Sequence, residues 1–256
     1  MHLLNYTGKN RALMTNLKCT AFLLLLSCCC FSTLRLEAQA GSGILALHFK
    51  NEANGKAVSL GDTIYKNAFG EQYQITKLKY YISNIGFSSA CHGSQNIFLA
   101  DAGLVDSIKL VVPTGSYQKI FFTIGVDSNL NNSGAQDGVL DPLKGMFWTW
   151  NSGYVYFKLE GFSAASGADL QRIEHHIGGY AGANNASRQI ELALPETLYV
   201  REGDQRSICI RLNLDAYWKG KNEIKIASNA LIMAPGALAI KSAENFPGLF
   251  SVIEIK

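Results

Sequence analysis

The sequence lacks most of the features by which functional classes are recognised. Only five of its 256 residues are proline, and no Pro/Ser-rich stretch, block of like charge or internal repeat divides it. This excludes a multi-domain chain joined by such linkers and a repeat array. No apolar run reaches the roughly 20 residues that a membrane-spanning helix needs. There is no nucleophile elbow, no HExxH, no phosphate loop and no dinucleotide fingerprint, and no acid–base pair stands out, so the sequence gives no reason to expect an enzyme. Charge of one sign is also missing. Residues 1–40 hold four of the 23 basic residues and one of the 20 acidic ones, leaving nineteen of each in the remainder. The net charge of +3 therefore belongs to the leader. Without a basic stripe or a known module, nucleic-acid binding is not expected.

The first forty residues read as a targeting segment. Lys9, Arg11 and Lys18 precede an apolar run from Ala21 to Leu26 that continues through Cys28, Cys29, Cys30 and Phe31. Ala38-Gln39-Ala40 has the small-x-small form that a signal peptidase cuts. The expectation is a signal peptide over 1–40 and a mature domain over 41–256, placed in the periplasm, at the cell surface or secreted. Met14 is an alternative start. A second reading makes Leu25-Leu26-Ser27-Cys28 a lipobox, with a lipid anchor on Cys28. Beyond residue 40 only Cys91 and Cys209 remain. In an exported protein they are a candidate disulfide, which would stabilise by about 4–5 kcal/mol in the chain-entropy model. Two free, buried thiols fit the sequence equally well. A chain of this length buries a sizeable core without disulfides.

The chain that follows is organised around one aromatic stretch, GMFWTWNSGYVYFKLEG over 145–161. From Tyr154 it alternates, with Val155, Phe157 and Leu159 on one side and Tyr154, Tyr156, Lys158 and Glu160 on the other. Period two predicts a strand with one buried face. Similar patterns predict strands at Leu45–Phe49, Tyr73–Phe87, Ile97–Leu99, Ser107–Val112, Tyr117–Ile124, Gln171–Ile177, Arg188–Leu194, Ser207–Leu214 and Phe250–Ile255. Pro113-Thr114-Gly115-Ser116 reads as a hairpin connection. The only helix expected is short and C-terminal, Ala237–Asn245, with Pro235 near its start and Pro247 stopping it. Many short strands with turn signals predict an all-β fold, a single-domain antiparallel β-sandwich or barrel.

The aromatic stretch, together with KLKYYISNI over 77–85, HIGGY over 176–180 and AENFPGLFSV over 243–252, resembles the MbnP-like family of secreted, copper-associated bacterial proteins. The resemblance runs from about Leu45 to Val252 and implies the same β-rich sandwich. It also implies a partner, a di-haem MauG-like peroxidase that oxidises a tryptophan to kynurenine. Kynurenine carries an aromatic amine and a ketone, and so offers copper a nitrogen that indole does not. Trp148 and Trp150 match the family's WTW and are the candidates for modification. Met146 offers a soft thioether of the kind copper(I) accepts. His176 matches the family's HIGG and is the first metal-ligand candidate. Where family members carry a histidine just after the first strand, this chain has Lys50-Asn51-Glu52.

The residues themselves add alternatives. Imidazole suits copper, and His48, His92, His175 and His176 are the histidines beyond the leader. His175 and His176 are adjacent, so a regular strand points them to opposite faces. That makes His175 either a ligand or a core-facing histidine with a local hydrogen bond. His48, facing away from Leu47 and Phe49, is either a solvated strand residue or a ligand. His92 beside Cys91 is a weaker chelating pair. Asp127-Ser128-Asn129-Leu130-Asn131 alternates oxygen ligands like the start of a calcium loop. The EF-hand pattern fails, with Asn132 and Gly138 at its sixth and twelfth positions, and Asx-turns explain the same residues. Two functions follow: an exported copper-binding protein, or a non-catalytic cell-surface structural or interaction module, stabilised by calcium in one version.

Overall fold

The computed structural model describes residues 41–87, 97–104, 107–149 and 152–256. The leader with Cys28, the Cys91–His92 pair and Trp150 lie outside these residues. Strand β1 (Ser42–Ala53) buries Leu45, Leu47 and Ala53 completely. It turns at Asn54-Gly55, both with positive φ, the signature of a two-residue hairpin turn, into β2 (Lys56–Ala57). After β3 (Ile64–Lys66) comes the longest strand, β4 (Gln72–Phe87). Then follow β5 (Phe98–Asp101), β6 (Ser107–Pro113) and β7 (Gly115–Ile124). The aromatic stretch forms β8 (Phe147–Thr149) and β9 (Gly153–Phe162). The chain closes with β10 (Arg172–Gly178), β11 (Arg188–Val200), β12 (Gln205–Asn213), β13 (Leu231–Ile232) and β14 (Phe250–Ile255).

These strands build two sheets. The smaller runs β14-β12-β1-β2 with β6 beside β1, and the larger runs β11-β7-β4-β9-β10-β13 with β3, β5 and β8 on its flanks. The expected all-β sandwich is what forms, and most pairs are antiparallel. Two are parallel: β1 with β12, and β10 with β13. Alternation tells which way a side chain faces but not which strand lies alongside, so the sequence carried no sign of them. Strand β4 changes partner along its length. Gln74–Tyr80 pairs with β9, and Ile82–Phe87 pairs with β7.

Inside, aromatic rings from both sheets interlock. Phe49 of β1 meets Phe122 of β7 at 5.8 Å, and Phe122 meets Phe250 of β14 at 5.2 Å. Phe157 of β9 stacks on Tyr80 at 6.2 Å and on Tyr217 at 5.2 Å. Each such pair adds about 0.5–1.5 kcal/mol beyond burial.

Three sequence expectations change. Pro113–Ser116 is not a hairpin: β6 pairs with β1 in the smaller sheet and β7 with β4 and β11 in the larger, so the chain changes sheet there. The C-terminal helix covers Ala237–Ala243, and Pro247 does not stop it but sits at the start of a further turn, Phe246–Leu249, where its missing N–H costs nothing. Finally, β9 is buried on both faces and not one: Tyr154 and Tyr156 are as inaccessible as Phe157.

Candidate metal centre on the outer face of the larger sheet

The second buried face of β9 is made by the connection from β7 to β8. Asp127 accepts from the Asn129 amide and caps a helical turn, Ser128–Asn132. Asn131 of that turn is fully buried and spends its whole amide. Its Nδ2 donates to the carbonyls of Val126 and Asp127 and to Tyr156 Oη, at 3.0, 3.0 and 3.1 Å, and its Oδ1 accepts from the Tyr154 amide at 2.9 Å. Tyr81 Oη donates to the Val139 carbonyl at 2.9 Å, and Tyr154 Oη to the Gly134 carbonyl at 3.1 Å. The polar loop read as a calcium candidate thus uses Asp127 and Asn131 as structural hydrogen-bonding groups.

This connection delivers the aromatic stretch to the sheet. Gly145, at φ 73°, accepts a hydrogen bond from Lys158 Nζ. Met146 is fully buried in the hydrophobic core and its carbonyl accepts from the Val155 amide at 2.9 Å. Phe147 then pairs with Tyr154 across the β8–β9 ladder.

Charged residues occupy the rest of this outer face. In register, Lys77, Glu160 and Glu174 cross β4, β9 and β10 in one row, and Lys79, Lys158 and His176 in the next. Glu160 is the hub. Its Oε1 accepts from His176 Nε2 at 2.9 Å, its Oε2 meets Lys77 Nζ at 2.8 Å, and Lys158 Nζ lies 3.4 Å from Oε1. The His176 hydrogen bond, assisted by the two lysines, holds the Glu160 carboxyl well below the usual carboxylate range. Burial pushes the Lys158 ammonium down, and Glu160 opposes that shift. A carboxylate only accepts, so Nε2 of His176 carries a proton and, in the neutral ring, Nδ1 keeps the lone pair. A metal-ligating histidine held by a carboxylate has this arrangement.

Trp148 joins His176 on the same face. Gly178 lies two residues after His176, and a Cβ on it would stand 2.9 Å from Trp148 Cζ3 and 2.4 Å from the Tyr154 carbonyl oxygen. Only glycine lets the indole rest there, which explains one glycine of HIGG by contact. The irregularity beside Gly178 falls in β9, where Tyr156 is skipped, so the alternation of β10 holds and His176 and Gly178 face the same way. Trp148 Nε1 is buried and without a hydrogen-bond partner among the described residues, a condition that costs about 1–3 kcal/mol.

The other candidates lie elsewhere. His175 is fully buried on the opposite side of β10, with Nδ1 2.8 Å from Tyr217 Oη and Nε2 2.6 Å from the Asn229 carbonyl. Nε2 therefore donates and Nδ1 accepts from the phenol, leaving no nitrogen for a metal. Burial pushes its pKa down to about 4. His48 is exposed on the smaller sheet. Cys209 is a free, buried thiol. Among the described residues no three His, Cys, Asp or Glu side chains converge as a metal cage. Reading the sequence missed Glu160, Lys77 and Lys158. The alternation of Lys158 and Glu160 on the face of Tyr154 was visible, but not their register with His176. Asn131 was legible only as part of the polar loop, with nothing to mark it as the partner of Tyr154 and Tyr156.

The sequence model of the MbnP family matches residues 42–235. Among solved structures, MbnP from Methylosinus trichosporium superposes with a TM-score of 0.54 over 78% of this chain and 87% of that one, at 15% identity. At that identity the likeness is one of fold. No curated protein sequence matches the chain.

Proposed function

The chain belongs to the MbnP family, and from that premise we propose that it is an exported, non-catalytic copper-binding protein whose centre is built around His176, with Trp148 seated on Gly178 of the same strand. One observation carries the proposal: Trp148, whose buried indole nitrogen has no described partner, rests its six-membered ring on Gly178, two residues after His176. His176 would offer Nδ1 while Glu160 holds its Nε2–H. Since no three ordinary ligands converge among the described residues, the proposal takes its further donor from the tryptophan segment. Oxidation of Trp148 or Trp150 to kynurenine, by a di-haem peroxidase of the MauG type, would supply an aromatic amine. Bound copper would supply a one-electron or electrophilic centre. The chain's own groups orient the imidazole, exclude water over Tyr154 and Tyr156, and keep the carboxylate ionised. Export to the periplasm or cell surface accords with the leader, and no helix among the described residues is long and apolar enough to cross a membrane.

Metal analysis of protein purified from its native host tests this. Near-stoichiometric copper that His176→Ala loses supports it, with an intact mass showing an oxygenated tryptophan. Calcium without copper, and unmodified tryptophans, would favour the structural module.

A further inference from the structure

The smaller sheet carries a second set of soft donors, separate from the centre proposed above. His48 of β1 and Cys209 of β12 are direct partners across the parallel ladder, so their side chains leave the same face side by side. Cys209 is 6% exposed, and its free thiol has no hydrogen bond among the described residues. His48 is exposed, and its ring nitrogens have none among the described residues either. The row continues to Ser107 of β6 beside His48 and to Glu254 of β14 beside Cys209, and Glu254 is drawn to Lys256 at 2.9 Å. Both line a cleft of about 560 Å³ that also takes in Phe49, Tyr80, Phe98 and Lys256.

We propose that His48 and Cys209 form a two-donor site for a soft, closed-shell monovalent cation, copper(I) by chemical class. The ladder spacing is compatible with it. Neighbouring strands lie about 4.8 Å apart. One sulfur and one nitrogen on opposite sides of a metal stand about 4.3 Å apart, at bond lengths of about 2.3 and about 2.0 Å. Donor number excludes a tetrahedral zinc cage, since no third ligand converges among the described residues. Thiolate selects copper(I) over harder cations. On binding, the Cys209 thiol gives its proton to water and the resulting thiolate bonds the metal, while neutral His48 contributes a ring lone pair. No electron changes hands.

The experiment titrates the protein with copper(I) without oxygen, as its acetonitrile complex, against the chromogenic chelator bathocuproine disulfonate. Expected is one equivalent that Cys209→Ser and His48→Ala each lose or bind at least tenfold more weakly, and that His176→Ala retains. X-ray absorption of that equivalent should show one sulfur and one nitrogen. His48 is a surface residue, so its variant keeps the test valid if Cys209→Ser fails to fold. The proposal is overturned if His48→Ala binds as tightly as the unsubstituted protein. It is also overturned if thiol counting before and after reduction shows Cys209 already joined to Cys91. Loss of copper in His176→Ala alone would leave the centre on the larger sheet standing and remove this one.

Discussion

His175 should make the fold acid-sensitive well above the carboxylate range. Its ring is fully buried against Tyr217 and Trp218, and burial lowers its pKa from an ordinary 6.5 to about 4. Between those values the unfolded chain binds a proton that the folded chain refuses, so stability rises with pH there. The contribution is complete above about pH 6.5 and is lost as pH falls toward 4. At about 1.4 kcal/mol per pH unit, this amounts to about 3 kcal/mol by pH 4, or a fall in Tm of about 6–12 °C for a domain of this size. Denaturant unfolding at intervals from pH 7 to 4 measures it. His175→Gln is the comparison, because an amide can donate to the Asn229 carbonyl and accept from Tyr217 Oη but does not titrate. The variant should be the less stable at pH 7, and the gap should close by about 3 kcal/mol at pH 4. Parallel curves for the two proteins across this range would refute the reasoning.

Glu160→Gln should cost about 1–3 kcal/mol at pH 7, since it leaves Lys77 and Lys158 without their counter-charge. The deficit should shrink in urea titrations as pH drops below the carboxyl's ordinary 4.5, because a group with a depressed pKa gives its stability above that value. Gly178→Ala should lower Tm by roughly 6–12 °C, from an overpacking cost of about 3 kcal/mol, and shift tryptophan emission. Gly161→Ala, whose Cβ would stand 1.8 Å from the Gln74 carbonyl oxygen, should be worse, and Gly167→Ala, which meets nothing within 4 Å, should be neutral by calorimetry. Asn131→Ala strips the Tyr154 amide of its partner and should cost about 3 kcal/mol by the same assay.

Local pattern foresaw a good deal of this. Period two marked β1, β9 and β12, and adjacency put His175 and His176 on opposite faces. One prediction failed by being too local. The alternation at 154–160 implied a solvated outer face, whereas Asn131, from a loop more than twenty residues earlier, roofs it over. Pro113–Ser116 misled in a similar way, since a turn between two strands has the same composition whether the strands pair or part to different sheets. The parallel partnership of β1 with β12 joins residues about 160 apart, and neither strand carries a mark of the other. The site followed this division. His176 and Trp148 were legible as residue types, but the seat of Trp148 depends on the bare Cα of Gly178, and the Glu160 hub on cross-strand register.

The charges around His176 also bear on what it can hold. Lys158 is its direct neighbour across the ladder, with side chains about 5 Å apart at their roots. A dication held by the imidazole meets twice the repulsion from that ammonium that a monocation meets. Ionised Glu160 offsets one such repulsion for each unit of cation charge. Lys77, the other amine on Glu160, leaves the trio one positive charge in excess. The remaining repulsion scales with the charge of the guest, so the face penalises cupric ion more than cuprous ion. A neutral amine, such as kynurenine would bring, adds a donor without altering that balance. A carboxylate ligand would shift it toward the dication, but on this face Glu160 is already bonded to His176 and Glu174 is paired with Arg172 at 3.2 Å.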